Sequence, residues 1–525
     1  MTRSKKCLLV FVICMLLFVV SGCGKEGQSR EELADFKDAG LMVTEEKVSL
    51  ADLETGKIGL VGGNATYALA SKQLPDAELL LFNSPTDMSL ALLQGKIDAF
   101  ASDESYLVGM QWEGYEVERV EEPLGISEYG IVFPKGDRSK QYKEEINAFI
   151  TKCREDGTLS ALEEKWFSDA EPEEFLDYSV LEPVNGTLVV GTCSSSKPFV
   201  YVKNGKLVGF DVEFLIRFAE EYGYALDFRD SDFTGAISGV QQKYDMATAG
   251  FTITEERKES VDFSEVYTEA DLVYIVNGEQ KEEGFIDSLC SSFEKTFVKE
   301  SRWKLIVKGI GVTLLISMGA VVFGTAIGFG LYMLRRSQFS MVVRITKLAA
   351  GVYSRIIAGT PAVVILMILF YIVFGKVDIS GVIVAIVAFA LMFGSFVYEN
   401  MNISVEGIDR GQTEAAYALG YSKDRTFFRI ILPQSMRMFL PAYSGEIVSL
   451  IKGTAVVGYI AVNDLTKMGD IIRSNTYEAF FPLIATAVIY FMIIWVFASV
   501  FGAVKRKLEP KRRKKEAILR GINVA

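Results

Sequence analysis

The sequence predicts a multi-domain chain, an α/β half outside a membrane followed by an all-α membrane half of about five spanning helices. Three observations carry this expectation. Charge is divided: residues 24–300 hold 26 Lys+Arg against 55 Asp+Glu, whereas residues 301–525 hold 26 against 12. Five long apolar segments lie in the basic half, at about 306–334, 355–375, 379–398, 442–461 and 479–503. The acidic half alternates β-rich runs with helical periodicity, as in "TLVVGT" at 187–192 followed by "GKLVGFDVEFLIRFAEEYGY" at 205–224. Together the three imply a solvated domain joined to a membrane domain. The 525 residues contain no histidine, which excludes His-based triads, His-ligated zinc and phosphorelay histidines. No catalytic residue, metal site or nucleic-acid partner is expected.

At the N-terminus Arg3, Lys5 and Lys6 precede the apolar run Cys7–Val20 and then "VSGC". A run of about fourteen residues is short for a span and suits a secretory signal. "VSGC" resembles a bacterial lipobox, which implies a lipidated Cys23; an uncleaved anchor is the alternative, and both place the chain after Cys23 outside. Cys153, Cys193 and Cys290 are too scattered for a disulfide framework, leaving open a Cys153–Cys193 pair or buried free thiols.

In the external half, "VSLADLETGKIGLVGGNATYALASKQL" at 48–74 reads as strand, glycine loop and helix, with Thr66 at the loop's end. "SLALLQGKIDAFASDESYLV" at 89–108 reads as helix, strand and acidic turn. Asp103 then stands at a strand end, where it is a site carboxylate or a helix N-cap. Further on, Thr252-x-x-Glu255 has the form of a capping box, so Arg257 falls in the first turn of a helix, beside free amide donors. A buried guanidinium there suits a carboxylate; a surface arginine is the bland reading.

The membrane half has three basic clusters: Arg335 to Lys347, the stretch "EAAYALGYSKDRTFFRIILP" at 414–433, and "KRKLEPKRRKK" at 505–515. With the acidic half outside, all three fall on the cytoplasmic side, and the loops around Lys376–Asp378 and Asn463–Glu478 read as poorly charged outer loops. In 414–433, Ala415, Ala416, Ala418 and Leu419 give a thin-faced helix, Gly420 permits a sharp bend, and a second amphipathic helix ends at Pro433. Glu399, near the cytoplasmic end of its span, is a substrate-path residue or a snorkelling acid. No G-x-x-x-x-G-K-[ST] run occurs, so no ATP hydrolysis by this chain is expected.

Glu414-Ala415-Ala416, Gly420 and Leu432-Pro433 resemble the EAA signature of ABC-importer permeases, whose loop docks into a cytoplasmic ATPase. "AGTPAVVILMILFY" at 358–371, "GQTEAA" at 411–416 and "LIKGTAVVGYI" at 450–460 are similar to the polar amino-acid subfamily, with Ala358 and Gly453 departing from its usual arginine and aspartate. Lys452 lies in the last of these stretches and joins Glu399 on the implied substrate path. The resemblance implies a separate ATPase that binds ATP and Mg, no cofactor on this chain, and a second permease copy, expected as a homodimer. In the external half, residues 187–276 resemble lobe one, and residues 48–133 lobe two, of amino-acid-binding proteins of the type II periplasmic-binding-protein-like fold. That resemblance implies Arg257 for the ligand's carboxylate with Thr252 and Gly250, Asp103 for its ammonium, Phe233 as a stacking aromatic, Ser196 at a second aromatic's place, and, because Ala65 stands at the place of a carboxylate-binding threonine, Thr66 as its substitute by a one-residue shift.

Lobe two comes first here, and each lobe occurs once. The organisation expected is a signal or anchor at 1–23, lobe two with the C-terminal helices of lobe one at 24–170, a linker at 171–186, and lobe one at 187–280. A juxtamembrane linker at 281–305, a permease at 306–504 with its EAA loop at 411–434, and a basic cytoplasmic tail at 505–525 complete it. A circular permutation accounts for the order; paired incomplete receptors or a domain swap compete with it. The function implied is a receptor–permease subunit of an importer for a polar amino acid in the bacterial cell membrane. A ligand-gated channel and a membrane sensor are the rivals.

Overall fold

A computed structural model of the protein describes residues 48–61, 66–82, 84–278, 285–336, 340–377 and 379–508. Cys23, with the whole signal or anchor segment, and the tail beyond 508 lie outside the described residues. The first stretch runs β1 (Lys57–Val61), α1 (Thr66–Gln73), β2 (Glu78–Phe82), α2 (Pro85–Leu93), β3 (Ala99–Asp103), α3 (Glu104–Trp112), β4 (Val117–Arg119) and β5 (Gly125–Tyr129). It continues through β6 (Val132–Pro134), α4 (Lys140–Glu155) and α5 (Thr158–Trp166). The second stretch runs β7 (Thr187–Thr192), β8 (Ser195–Ser196), β9 (Val200–Lys203), β10 (Lys206–Val208), α6 (Phe210–Tyr222), β11 (Ala225–Asp230) and α7 (Phe233–Gly239). β12 (Met246–Ala247), α8 (Glu255–Ser260), β13 (Val261–Phe263) and β14 (Thr268–Asn277) close it.

Two α/β lobes result, each with its own sheet. One sheet has the order β2-β1-β3-β14-β4, with β5 also on β14; the other has the order β11-β7-β12-β6-β13. In each, three parallel strands from one stretch are joined by an antiparallel strand from the other: β14 pairs antiparallel with β3, and β6 with β12. The chain therefore crosses between lobes twice. The crossings lie side by side, since Tyr267 N donates to Tyr129 O at 3.1 Å and Ser264 N to Ile131 O at 2.9 Å. β1 reads as a continuous apolar run after Lys57 and is buried over Ile58–Leu60, with Ile58 and Leu60 wholly so. The second lobe's core is aromatic: Phe210 and Phe214 stack on Tyr267, and Phe149 packs on Phe214 and Phe218. Cys153 and Cys193 are both buried free thiols in this core, so no disulfide joins them. Asp211 beneath these rings is fully buried and is held by Tyr267 Oη at 2.7 Å and Gly250 N at 2.9 Å.

The membrane half comprises α9 (Phe285–Phe293), α10 (Trp303–Arg335), α11 (Ser340–Gly359), α12 (Ala362–Met367), α13 (Gly381–Glu406) and α14 (Arg410–Ala418). α15 (Lys423–Thr426), α16 (Leu432–Gly453), α17 (Leu465–Thr476) and α18 (Phe480–Leu508) come next. Only α10, α13 and α18 are unbroken helices long and apolar enough to span, among the described residues. The other two expected spans each belong to a bent pair of helices. One turns by 112° between α11 and α12 at Thr360-Pro361, where proline disfavours helix in the residue before it. The other turns by 55° between Ile460 and Leu465. α10 packs on α13 through small residues: a side chain at Gly328 would come within 2.4 Å of the Gly394 carbonyl, so only glycine allows this approach.

The 414–433 stretch forms α14, a turn and α15. Asp409 accepts from Gly411 N at 2.7 Å to start α14, and Gly420 has φ +80°, the left-handed turn that its sequence predicts. Pro433 does not end the second helix. A wider π turn at Phe427–Ile431 precedes it, Gln434 Nε2 donates to the Ile430 carbonyl, and the helix runs on through α16.

Candidate ligand-binding cleft

A cavity of about 920 Å³ lies between the two lobes. Asp103 enters it from the end of β3 in the first lobe. It occupies the N-cap position of α3, yet its side chain caps nothing, and its buried Oδ1 has no hydrogen-bond partner. Burial pushes its carboxyl up, against the pull of Ser127, Tyr129 and the Arg257 charge.

Arg257 enters from α8 in the second lobe. It does lie in the first turn of a helix, but the cap is Thr254, whose hydroxyl accepts from Arg257 N at 3.3 Å. The N-cap expected at Thr252 moves on by two residues, because Thr252 is still extended and bridges Tyr129, and with Arg257 three places after Thr254 the cap is not the capping box expected. Thr252 instead offers its carbonyl to Arg257 Nη1 at 2.8 Å. Phe233, at the start of α7, lies under the guanidinium with its ring centre 5.4 Å from Cζ. Burial lowers the arginine's pKa, opposed by Glu256 and Asp103. A guanidinium with one bond to a carbonyl keeps donors for a further anion.

The remaining residues expected at the site also line this cavity: Thr66, Ser196 and Gly250. Thr66 opens α1, and its buried Oγ1 is unpartnered. Ser196 lies on β8. Gly250 gives its N–H to Asp211, so it shapes the wall rather than donating into it. Glu399 and Lys452 are exposed on α13 and α16, apart from this cavity. Glu414 and Ala415 are exposed on α14, with Ala416 buried behind them.

Sequence reasoning missed two features of the cleft. Tyr106 Oη donates across it to the Ser195 carbonyl at 3.0 Å, tying lobe to lobe. The second feature is larger: α17, expected as part of a poorly charged outer loop, is a helix that lines the cleft with Lys467, Asp470, Ile471, Arg473 and Ser474. It grips both lobes. Arg473 pairs with Asp87 of the first lobe, while Lys467 Nζ donates to Ser231 O at 3.0 Å and Asn475 Nδ2 to Val202 O at 2.6 Å in the second. Tyr477, just after α17, is buried in the first lobe's core with Phe100, Tyr106 and Met110. The one signal in the sequence was the spacing of Lys467, Asp470, Ile471 and Ser474, one face of a helix.

Residues 188–481, more than half of the chain, match the bacterial extracellular solute-binding proteins, family 3. A protein of Rickettsia bellii named as a glutamine transport system permease protein, GlnP, is 31% identical over 205 residues, 39% of this chain and 92% of its own length. The chain belongs to both families, solute-binding protein and transport permease. As a solute-binding permease it also resembles two Bacillus subtilis proteins. One is named as an amino-acid ABC transporter permease protein, YckA, 32% identical over 207 residues, 39% of this chain and 88% of its own length. The other is the L-cystine transport system permease protein TcyB, 30% identical over 214 residues, 40% of this chain and 90% of its own length. Among solved structures, an amino acid ABC transporter crystallised with histidines is 28% identical, covering 43% of this chain and 100% of its own, with a TM-score of 0.37. The chain thus joins a solute-binding domain and a permease domain.

Proposed function

We propose that this chain is the receptor–permease subunit of an ATP-binding-cassette importer for a polar amino acid. One observation carries the reading. Asp103 and Arg257, on opposite lobes, line the same cavity, and the acid has a buried oxygen without a partner. A zwitterion supplies both missing counter-charges: its ammonium goes to Asp103 and its carboxylate to Arg257, with the Thr66 and Thr252 hydroxyls beside it. Partial burial makes each lone charge costly, so a ligand that pairs with both is favoured in the closed cleft. Phe233 forms the ring wall, and Ser196 leaves room where an aromatic would narrow the site.

The lobe order is read as a circular permutation. It is supported by the two sheets, in each of which three parallel strands of one stretch are joined by an antiparallel strand of the other. The relative named as an amino-acid ABC transporter permease supports an ATPase partner; in this proposal that partner is cytoplasmic and binds ATP and Mg, and a second permease copy completes a homodimer. Exposed Tyr417 and Leu419 beside Glu414 and Gly420 give α14 an apolar face suited to docking that ATPase. The receptor is taken as extracellular, and the 414–433 loop and C-terminus as cytoplasmic, by the positive residues that come after the first, third and fifth apolar segments. Isothermal titration of the full chain tests the site. Arg257→Ala and Asp103→Ala are each expected to weaken amino-acid binding by roughly 2–5 kcal/mol, because each strands a charge in a desolvated cleft. Unchanged affinity in either variant refutes the reading.

A further inference from the structure

On the amino-acid reading the lobes account for the two α-groups, and a further part of the same cavity wall belongs to the membrane half. α17 presents Lys467, Asp470, Ile471 and Ser474 at spacings of three and four, so they share the face that lines the cavity. Lys467 Nζ spends one hydrogen on the Ser231 carbonyl, which leaves an ammonium two further donors. Asp470 has a half-exposed carboxylate, 3.4 Å from Arg473 Nε. Arg473 is itself fixed to Asp87. A donor and an acceptor thus stand on one helix face, held in register by ties to both lobes.

We propose that this face of α17 is the part of the binding site that reads the ligand's side chain, so that receptor and permease segments select the amino acid jointly. The class it takes is a side chain ending in a group that both donates and accepts hydrogen bonds, with Asp470 as acceptor and Lys467 as donor. The proposal rests on the amino-acid reading of Asp103 and Arg257, and it adds two specificity residues more than 200 positions away from them in sequence.

The physical reason is desolvation. Lys467 also faces the carboxylates of Asp230 and Asp232, and Asp470 the guanidinium of Arg473, so both charges keep a counter-charge. With the cleft closed, an apolar side chain still takes water from the hydrogen-bonding positions those neighbours leave open, whereas a donor–acceptor group replaces it. Removing either partner alters which side chains are tolerated, and does so in opposite directions. A wall used only for docking has no such asymmetry.

The test uses the purified full chain, titrated with L-glutamine, L-glutamate, L-arginine and L-leucine. The wild type is expected to bind glutamine ~10- to 100-fold more tightly than leucine, the worth of one or two hydrogen bonds to charged groups. Lys467→Met moves the preference towards arginine, Asp470→Asn moves it towards glutamate, and Lys467→Arg retains the wild-type order. Two results overturn the proposal while sparing the site beneath it: both variants keep wild-type selectivity while Arg257→Ala loses every ligand, or both lose all four ligands to the same extent. If Arg257→Ala binds all four as the wild type does, the amino-acid reading fails and the proposal fails with it.

Discussion

Glu113 offers a prediction that can be worked from its surroundings. Its side chain is wholly buried at the end of α3, in the first lobe. Lys197 of the second lobe donates to Oε1 at 2.8 Å, Lys299 of the segment entering the membrane donates to Oε2 at 2.9 Å, and Arg302 stands 3.6 Å from Oε1. Lys197 and Arg302 are themselves 3% exposed. Burial alone would raise this carboxyl. The three cations prevail and hold it at about 2 rather than 4.5. At about 1.4 kcal/mol per pH unit, that difference makes the charged form about 3 kcal/mol more stable in the folded protein. Glu113→Gln keeps the shape and removes the charge, and breaking one side of a buried pair typically costs about 3–5 kcal/mol.

The sign is set by a folded pKa below the unfolded one. The stabilisation is complete above pH 4.5 and is lost as pH falls towards 2. Heat unfolding of the full chain at neutral pH should therefore show Glu113→Gln melting ~6–20 °C below the wild type, if a receptor-sized unit unfolds together. The gap should narrow in acid. It should also survive 1 M salt, because buried charges are poorly screened. A gap under ~2 °C, or one erased by salt, would mean that Glu113 does not fasten the lobes to the membrane segment.

The same structure predicts further outcomes. Glu414→Lys and Gly420→Pro should abolish uptake and ligand-stimulated ATP hydrolysis in membrane vesicles while leaving amino-acid affinity intact; a variant with normal transport would count against the EAA loop as the coupling element. Because burial raises the Asp103 pKa and only its carboxylate pairs with an ammonium, titrations should show affinity falling on acidification at a pH above an ordinary aspartate's 3.8, a dependence that Asp103→Asn lacks. Asp211 is pushed up to about 6 by burial, so the folded protein holds its proton where the unfolded chain has lost it, and its stability contribution falls as pH rises from 3.8 through 6. Relative to Asp211→Asn, the wild type should gain up to about 3 kcal/mol between pH 7 and pH 4, read as a change in the difference between their melting temperatures; a constant difference would refute it.

What the sequence made legible was local. β-rich runs became strands, apolar segments became membrane helices, and Asp103 and Arg257 reached one cavity because each sits at the end of an element whose pattern is written in its neighbours. The errors arise where backbone conformation decides between equal choices. Thr252 and Thr254 can both cap a helix, but Thr252 is held extended by its bridge to Tyr129, so the turn begins two residues later. Pro433 is a sound stop signal until a π turn before it re-spaces the carbonyls.

The larger omission, α17, has a different cause. Positive-residue counting treats 463–478 as an outer loop, and it does carry no basic excess: Lys467 and Arg473 are offset by Asp464, Asp470 and Glu478. Topology depends on that excess, whereas docking depends on where each charge stands. Arg473 meets Asp87, Lys467 meets the carbonyl of Ser231, and Glu478 accepts from Tyr115 Oη and Ser292 Oγ. Each partner lies more than 180 residues away, beyond any periodicity window. A near-neutral stretch with its charges on helical spacing, placed between two spans, is therefore better read as a surface fitted to another domain than as a loop left blank. On that reading the cleft is closed by the membrane half itself, and affinity measured on the receptor half alone should differ from that of the full chain.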